Sequence, residues 1–132
     1  MQTFLPYPNM LQSLKVLDYK RLGKQRVEAK QILNALKYGG GWANHPAVRM
    51  WRGYELALVD YHNTALSVWQ GRGYKNNMPY IPNTNRSPMP PWFGREDFHL
   101  SHQSNLLRKD FEYYSKFFPG VVSTLPYVWP VE

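Results

Sequence analysis

Prolines and glycines partition this chain before any other pattern does. Pro6 and Pro8 fix φ and remove backbone donors early on, so the chain opens as an extended arm. Gly39, Gly40 and Gly41 stop whatever helix precedes them. Pro46 suits the first turn of the next helix, with Asn44 or His45 as its cap. Residues 76–95, NNMPYIPNTNRSPMPPWFGR, hold five prolines and read as a long loop. In a compact domain a loop of that length is usually functional or mobile. The tail VVSTLPYVWPVE is short and proline-flanked, which makes it a packed strap.

Between these breaks, apolar residues recur three times at helical spacing. Leu22, Ala29, Leu33 and Leu36, with Ile32 beside them, predict a helix over residues 13–38 capped by Ser13. Gly23 weakens that helix by about 1 kcal/mol. Val48, Trp51, Leu58, Tyr61, Ala65 and Trp69 predict a second over residues 46–72, and Leu107, Phe111, Tyr114 and Phe118 a third over 101–118. The expected fold is all-α: a compact single domain over 1–132 of three main helices, an N-terminal arm, a proline-rich loop and a C-terminal strap. A chain of 132 residues buries one core but not two, and it has no internal repeat.

Sixteen Lys and Arg against nine Asp and Glu give a net charge of +7, a field that favours a polyanion such as nucleic acid. An acidic membrane surface would suit the same number, but no apolar run approaches the roughly 18 residues of a bilayer span. No secretory signal opens the chain. The absence of cysteine excludes disulfides and thiolate metal sites and fits the cytoplasm, a host's if the chain is virus-encoded. Four scattered histidines lack paired ligand spacing, and no glycine-rich phosphate loop is present, so neither metal nor cofactor is expected.

The segment LDYKRLGKQRVEAKQ sets Lys20, Arg21, Lys24, Arg26 and Lys30 around one acid, Glu28. By helical projection Arg26 falls in the middle of the face to be buried, with Gln25 at its edge and Glu28 just beyond. Polar groups there need partners. The cluster is read either as the floor of a site or as a structural ion-pair network. His45 and His102 head the second and third helices as caps. Asn105, Arg108 and Lys109 are candidates for phosphate contacts. Trp92 is either loop packing, the expected role, or a stacking wedge.

The spacing Leu17-x4-Leu22-x5-Glu28, followed by HPAVRMWRGYELALVDY, WQGRGY and LSHQSNLLRKDFEYYSKFF, resembles the pyrimidine-dimer DNA glycosylases of the bacteriophage endonuclease V type. The blocks cover about two-thirds of the chain in order. The resemblance implies a three-helix fold that binds duplex DNA, bends it and flips a nucleotide out of the stack. It also implies that an α-amino group displaces the base through a Schiff base, that β-elimination then cuts the strand, and that Glu28 is the essential acid. In that family the amine belongs to an N-terminal threonine exposed by removal of the initiator Met. Gln2 stands here instead, too bulky for efficient removal, so the expected amine is that of Met1. Arg21, Lys24, Gln25, Arg26, His45, His102, Asn105, Arg108 and Lys109 complete the expected DNA-binding set. Val27 and Gln31 occupy two positions where the family has arginine. A monomer acting on lesion-bearing duplex DNA is expected. A glycosylase for another modified base, a non-catalytic nucleic-acid-binding module and an RNA-directed binder are the other readings.

Overall fold

In a computed structural model that describes residues 1–83 and 88–131, the chain is helical, and no strand forms among the described residues. Residues 84–87 of the expected loop lie outside that description. The elements in order are α1 (Met10–Lys15), α2 (Tyr19–Tyr38), α3 (Pro46–Arg49), α4 (Glu55–Gly71), α5 (Glu96–Lys109) and α6 (Phe111–Tyr114). Among the described residues no helix is long and apolar enough to cross a membrane.

Each of the three expected helices is divided or displaced, and distant partners are the reason. Ser13 is not a cap. It lies inside α1, where its hydroxyl accepts from Tyr7 N–H and donates to Tyr7 O, and Asn9 caps that helix instead. Leu14, Val16 and Leu17 are all buried. A continuous helix would point Leu14 and Val16 to opposite sides, so the chain breaks there. Arg72 holds the break, donating to Lys15 O at 2.8 Å and Leu17 O at 2.7 Å. α2 then starts after an extended Asp18 and runs to Gly39, as the triple glycine predicts.

The second expected helix splits into α3 and α4. His45 caps α3, accepting from Ala47 N–H at 3.0 Å. The turn to α4 passes through Gly53 at φ 87°, a left-handed conformation that suits glycine. It lets Trp51 turn into the core, where its indole N–H donates to Thr3 Oγ1 at 3.1 Å. The third helix begins five residues earlier than expected, at Glu96, and ends at Lys109. Asp110 leaves helical geometry and caps the short α6.

α2 packs mainly on α4. The buried row of α2 is Leu22, Gln25, Ala29, Ile32 and Ala35, while Leu33 and Leu36 are only half-buried. The face is therefore rotated from the projection: Gln25 sits at its centre and Arg26 at its rim. Gly23 explains itself at this contact, because a Cβ there would lie 3.3 Å from the Trp69 ring. Trp92 is buried and donates to Met50 O at 3.0 Å, so it packs its loop down and is not free to wedge. The strap is tied to α5 by Ser104 and Ser101, which accept from Leu125 and Val128 N–H.

Candidate active site

The N-terminal arm is held by side chains at every backbone N–H from Gln2 to Leu5. Gln2 donates to Glu28 Oε2 at 2.7 Å, and Thr3 donates to the Gln2 side chain at 2.8 Å. Phe4 donates to Gln25 Oε1 at 2.8 Å and Leu5 to His102 Nδ1 at 2.9 Å. The Tyr61 hydroxyl lies 2.6 Å from Gln25 Oε1 and 2.9 Å from Phe4 O. Extended backbone has no internal partners, and in a buried place each group must find one. Glu28 and Gln25, one turn apart on α2, thus fix residues 2 and 4 of the arm.

This arrangement brings Met1 to a cleft of about 370 Å³. The arm lines it with Met1, Gln2 and Phe4, α2 with Lys20, Arg21, Lys24, Gln25 and Glu28, α5 with Lys109, and the strap with Tyr127 and Trp129. Covalent geometry limits the separation of successive backbone nitrogens to about 3.7 Å. The Met1 nitrogen therefore lies within about 6.4 Å of the carboxylate oxygen that Gln2 N–H touches, without forming an ion pair with it. Four cations share the lining of the cleft with that one carboxylate. One of them, Arg21, also pairs with Asp18, both oxygens at 3.2 Å. Burial raises the Asp18 pKa, but hydrogen bonds from Tyr114 and Arg21 and the guanidinium charge outweigh it and hold the carboxyl below its ordinary range.

His45 stands behind the strap wall, edge-on to Trp129 at 5.9 Å and to Trp42 at 5.7 Å. Partial burial and then the positive amino terminus lower its pKa, while Glu28 pulls the other way. The His45 imidazole is thus within electrostatic reach of both the amine and the acid.

The remaining expected site residues lie elsewhere. Arg26 stacks over Trp69, 3.9 Å from the ring, in a neighbouring hollow on the far side of the ridge formed by Lys20, Lys24 and Glu28. His102 is no helix cap but is buried in α5, inaccessible to a ligand, its ring accepting from the arm. Asn105 is also buried. It donates to Ser101 O and Leu125 O and accepts from Arg108, which donates to Ser123 O at 2.8 Å. These two anchor the strap outside the cleft. Met1, Glu28, Arg21, Lys24, Gln25 and Lys109 are the expected residues that the fold does gather.

Sequence reasoning missed Gln2, Tyr127 and Trp129. The strap has no periodicity to mark which side faces the cleft, and the buried side chain of Gln2 carries no signal of its own. Among the described residues no group of three His, Asp or Glu side chains could hold a metal ion.

Fold and cleft together define a basic helical domain with one carboxylate beside a chain terminus, suited to chemistry on a polyanion. Residues 1–82, more than half the chain, match the family described as pyrimidine dimer DNA glycosylase, and the protein belongs to that family. No curated protein and no solved structure matches the chain. The family match takes in the arm and α1 through α4, and stops short of α5 and the strap.

Proposed function

We propose that the protein excises damaged pyrimidines, cyclobutane dimers first among them, from duplex DNA and then cuts the strand at the abasic site. One observation supports this reading: Gln2 N–H donates to Glu28 at 2.7 Å, which keeps the Met1 amine within about 6.4 Å of the one acid lining a basic cleft. An α-amine has a reference pKa near 8, so a useful fraction is neutral and nucleophilic around pH 7.

A nucleotide in the stack cannot present its C1′ to such a cleft, so the target is flipped. Lys20, Lys24, Lys109 and the partly paired Arg21 hold its flanking phosphates. The amine bonds to C1′ as the bond from C1′ to the base breaks. The electron pair leaves with the base, which takes up a proton. The Glu28 carboxylate offsets positive charge on the sugar, then takes a proton from the amine and passes it to O4′ as the C1′–O4′ bond breaks and the ring opens to a Schiff base. Loss of a C2′ proton lets the C3′–O bond break, with phosphate as leaving group. Water then hydrolyses the imine and frees the enzyme.

The test is borohydride trapping on duplexes carrying a cyclobutane dimer, an abasic site or no lesion. Adducts are expected on the first two, joined to the α-amine by mass spectrometry. Glu28→Gln should slow cleavage of the glycosidic bond by at least about a hundred-fold. Tight binding to all three duplexes with no adduct and no cutting would replace the enzyme with a binding module.

A further inference from the structure

We propose that Trp42 inserts into the duplex and fills the gap left by the flipped nucleotide. The inference rests on the glycosylase reading above. Of the five tryptophans, Trp51, Trp69 and Trp92 are buried and Trp129 is half-buried in the cleft wall, whereas Trp42 is 54% exposed. His45 meets the ring edge-on, and the rest of its apolar face is left in water. Gly39 and Gly40 have φ of 77° and 101°, which reverses the chain at the end of α2. Around Gly39, Gly40 and Gly41 no atom comes within 4 Å of where a Cβ would stand. The turn is nevertheless fixed beyond the ring: His45 N–H donates to Trp42 O at 3.0 Å, and Arg52 donates to Ala43 O at 3.1 Å.

Its position relative to the cleft makes the exposure useful. Trp42 touches His45 edge-on, and His45 touches Trp129, which lines the cleft with Met1 and Glu28. The wedge is therefore two ring contacts from the place where a flipped nucleotide reacts. The surrounding stretch suits DNA. From residue 29 to residue 54 the chain has no carboxylate and carries Lys30, Lys37, Arg49 and Arg52. Extruding a nucleotide breaks its stacking on both neighbours. A flat aromatic pushed between those neighbours restores part of it and keeps the base from returning.

Two measurements test this on the full chain. Trp42→Ala should slow dimer excision from duplex DNA by at least about ten-fold, the size of one lost base–aromatic stack, and excision from a single-stranded oligonucleotide with the same dimer by less than about two-fold. Trp42→Phe should retain most of the duplex rate. Independently of chemistry, a duplex with a tetrahydrofuran abasic analogue should quench tryptophan emission in the wild type, and Trp42→Phe should lose most of that quenching. Equal losses on paired and unpaired substrates, no loss on either, or unchanged quenching in Trp42→Phe would each overturn insertion. The two readings fail separately. Quenching that depends on Trp42 in a protein that excises no dimer would sink the glycosylase assignment alone. Dimer excision by Trp42→Ala at the wild-type rate would sink the wedge alone.

Discussion

A single oxygen carries much of the arm's position. Gln25 Oε1 takes Phe4 N–H and lies within hydrogen-bond distance of the Tyr61 hydroxyl, and Gln25 is 1% exposed, so water cannot substitute. Gln25→Met keeps the size and removes the acceptor. Tyr61 can turn to Phe4 O, but Phe4 N–H has nowhere to go. The expected loss is about 1–3 kcal/mol, read as a lower urea midpoint with unchanged slope. Schiff-base trapping should fall further than stability accounts for, because the arm no longer holds Met1 in the cleft that Glu28 lines. Full trapping efficiency in this variant would show that the arm needs no such anchor. His102 holds the next residue and adds a pH dependence. Burial, with a smaller push from His99, drives its pKa from 6.5 down to about 3. The unfolded chain therefore takes up this proton first as pH falls. The stabilising contribution is complete above about pH 6.5 and is lost progressively toward pH 3, at about 1.4 kcal/mol per pH unit. His102→Asn keeps an acceptor for Leu5 N–H and has no proton to gain. Urea unfolding at pH 7 and pH 5 should show a shallower acid loss in that variant, and an unaltered loss would locate the proton uptake elsewhere.

Elements were legible where their ends are local and illegible where they are not. Gly39 ends α2 and His45 with Pro46 begins α3, because caps and left-handed residues act within a turn of themselves. The breaks at residues 16–18, 50–54 and 110 follow partners distant in sequence: Arg72 on the carbonyls of Lys15 and Leu17, Tyr114 on Asp18, and Trp51 on Thr3. Periodicity alone ran through all three of them. A small phase error had a larger consequence, since taking Leu33 and Leu36 as core centre exchanged the places of Gln25 and Arg26. Arg72 is the most direct test of the long-range account. Arg72→Ala should lower stability by about 1–2 kcal/mol, the upper end of charged hydrogen bonding being discounted for its partial exposure. Exchange of the amide protons in residues 14–18 should speed up while the centre of α2 stays protected. Protection unchanged across that segment would mean the break is set by Leu14, Val16 and Leu17 alone.

Over the whole molecule, the site is the meeting of one element that sequence describes well and one that it does not. α2 supplies Glu28, Arg21, Lys24 and Gln25, all visible as a polar cluster at the edge of an apolar stripe. The strap supplies Tyr127 and Trp129 only because Ser101 and Ser104, on a helix more than twenty residues earlier, fix its path. The same joining concentrates charge. Lys20, Lys24 and Lys109 converge with Arg21 on the cleft, although Arg21 already has Asp18 as a partner. Binding to duplex DNA should weaken linearly in log–log form with salt, by about 0.9 per phosphate neutralised. Lys24→Gln should therefore reduce the slope by about 0.9 while leaving the preference for lesion over undamaged duplex unchanged, since a phosphate contact carries no base information. Arg21→Gln should reduce it by less, because releasing Asp18 offsets part of the gain from phosphate. Fluorescence anisotropy between about 50 and 200 mM salt resolves slopes of that size. A slope untouched by Lys24→Gln would move the phosphate path off α2, and with it the proposal that Lys20 and Lys24 hold the phosphates flanking the flipped nucleotide.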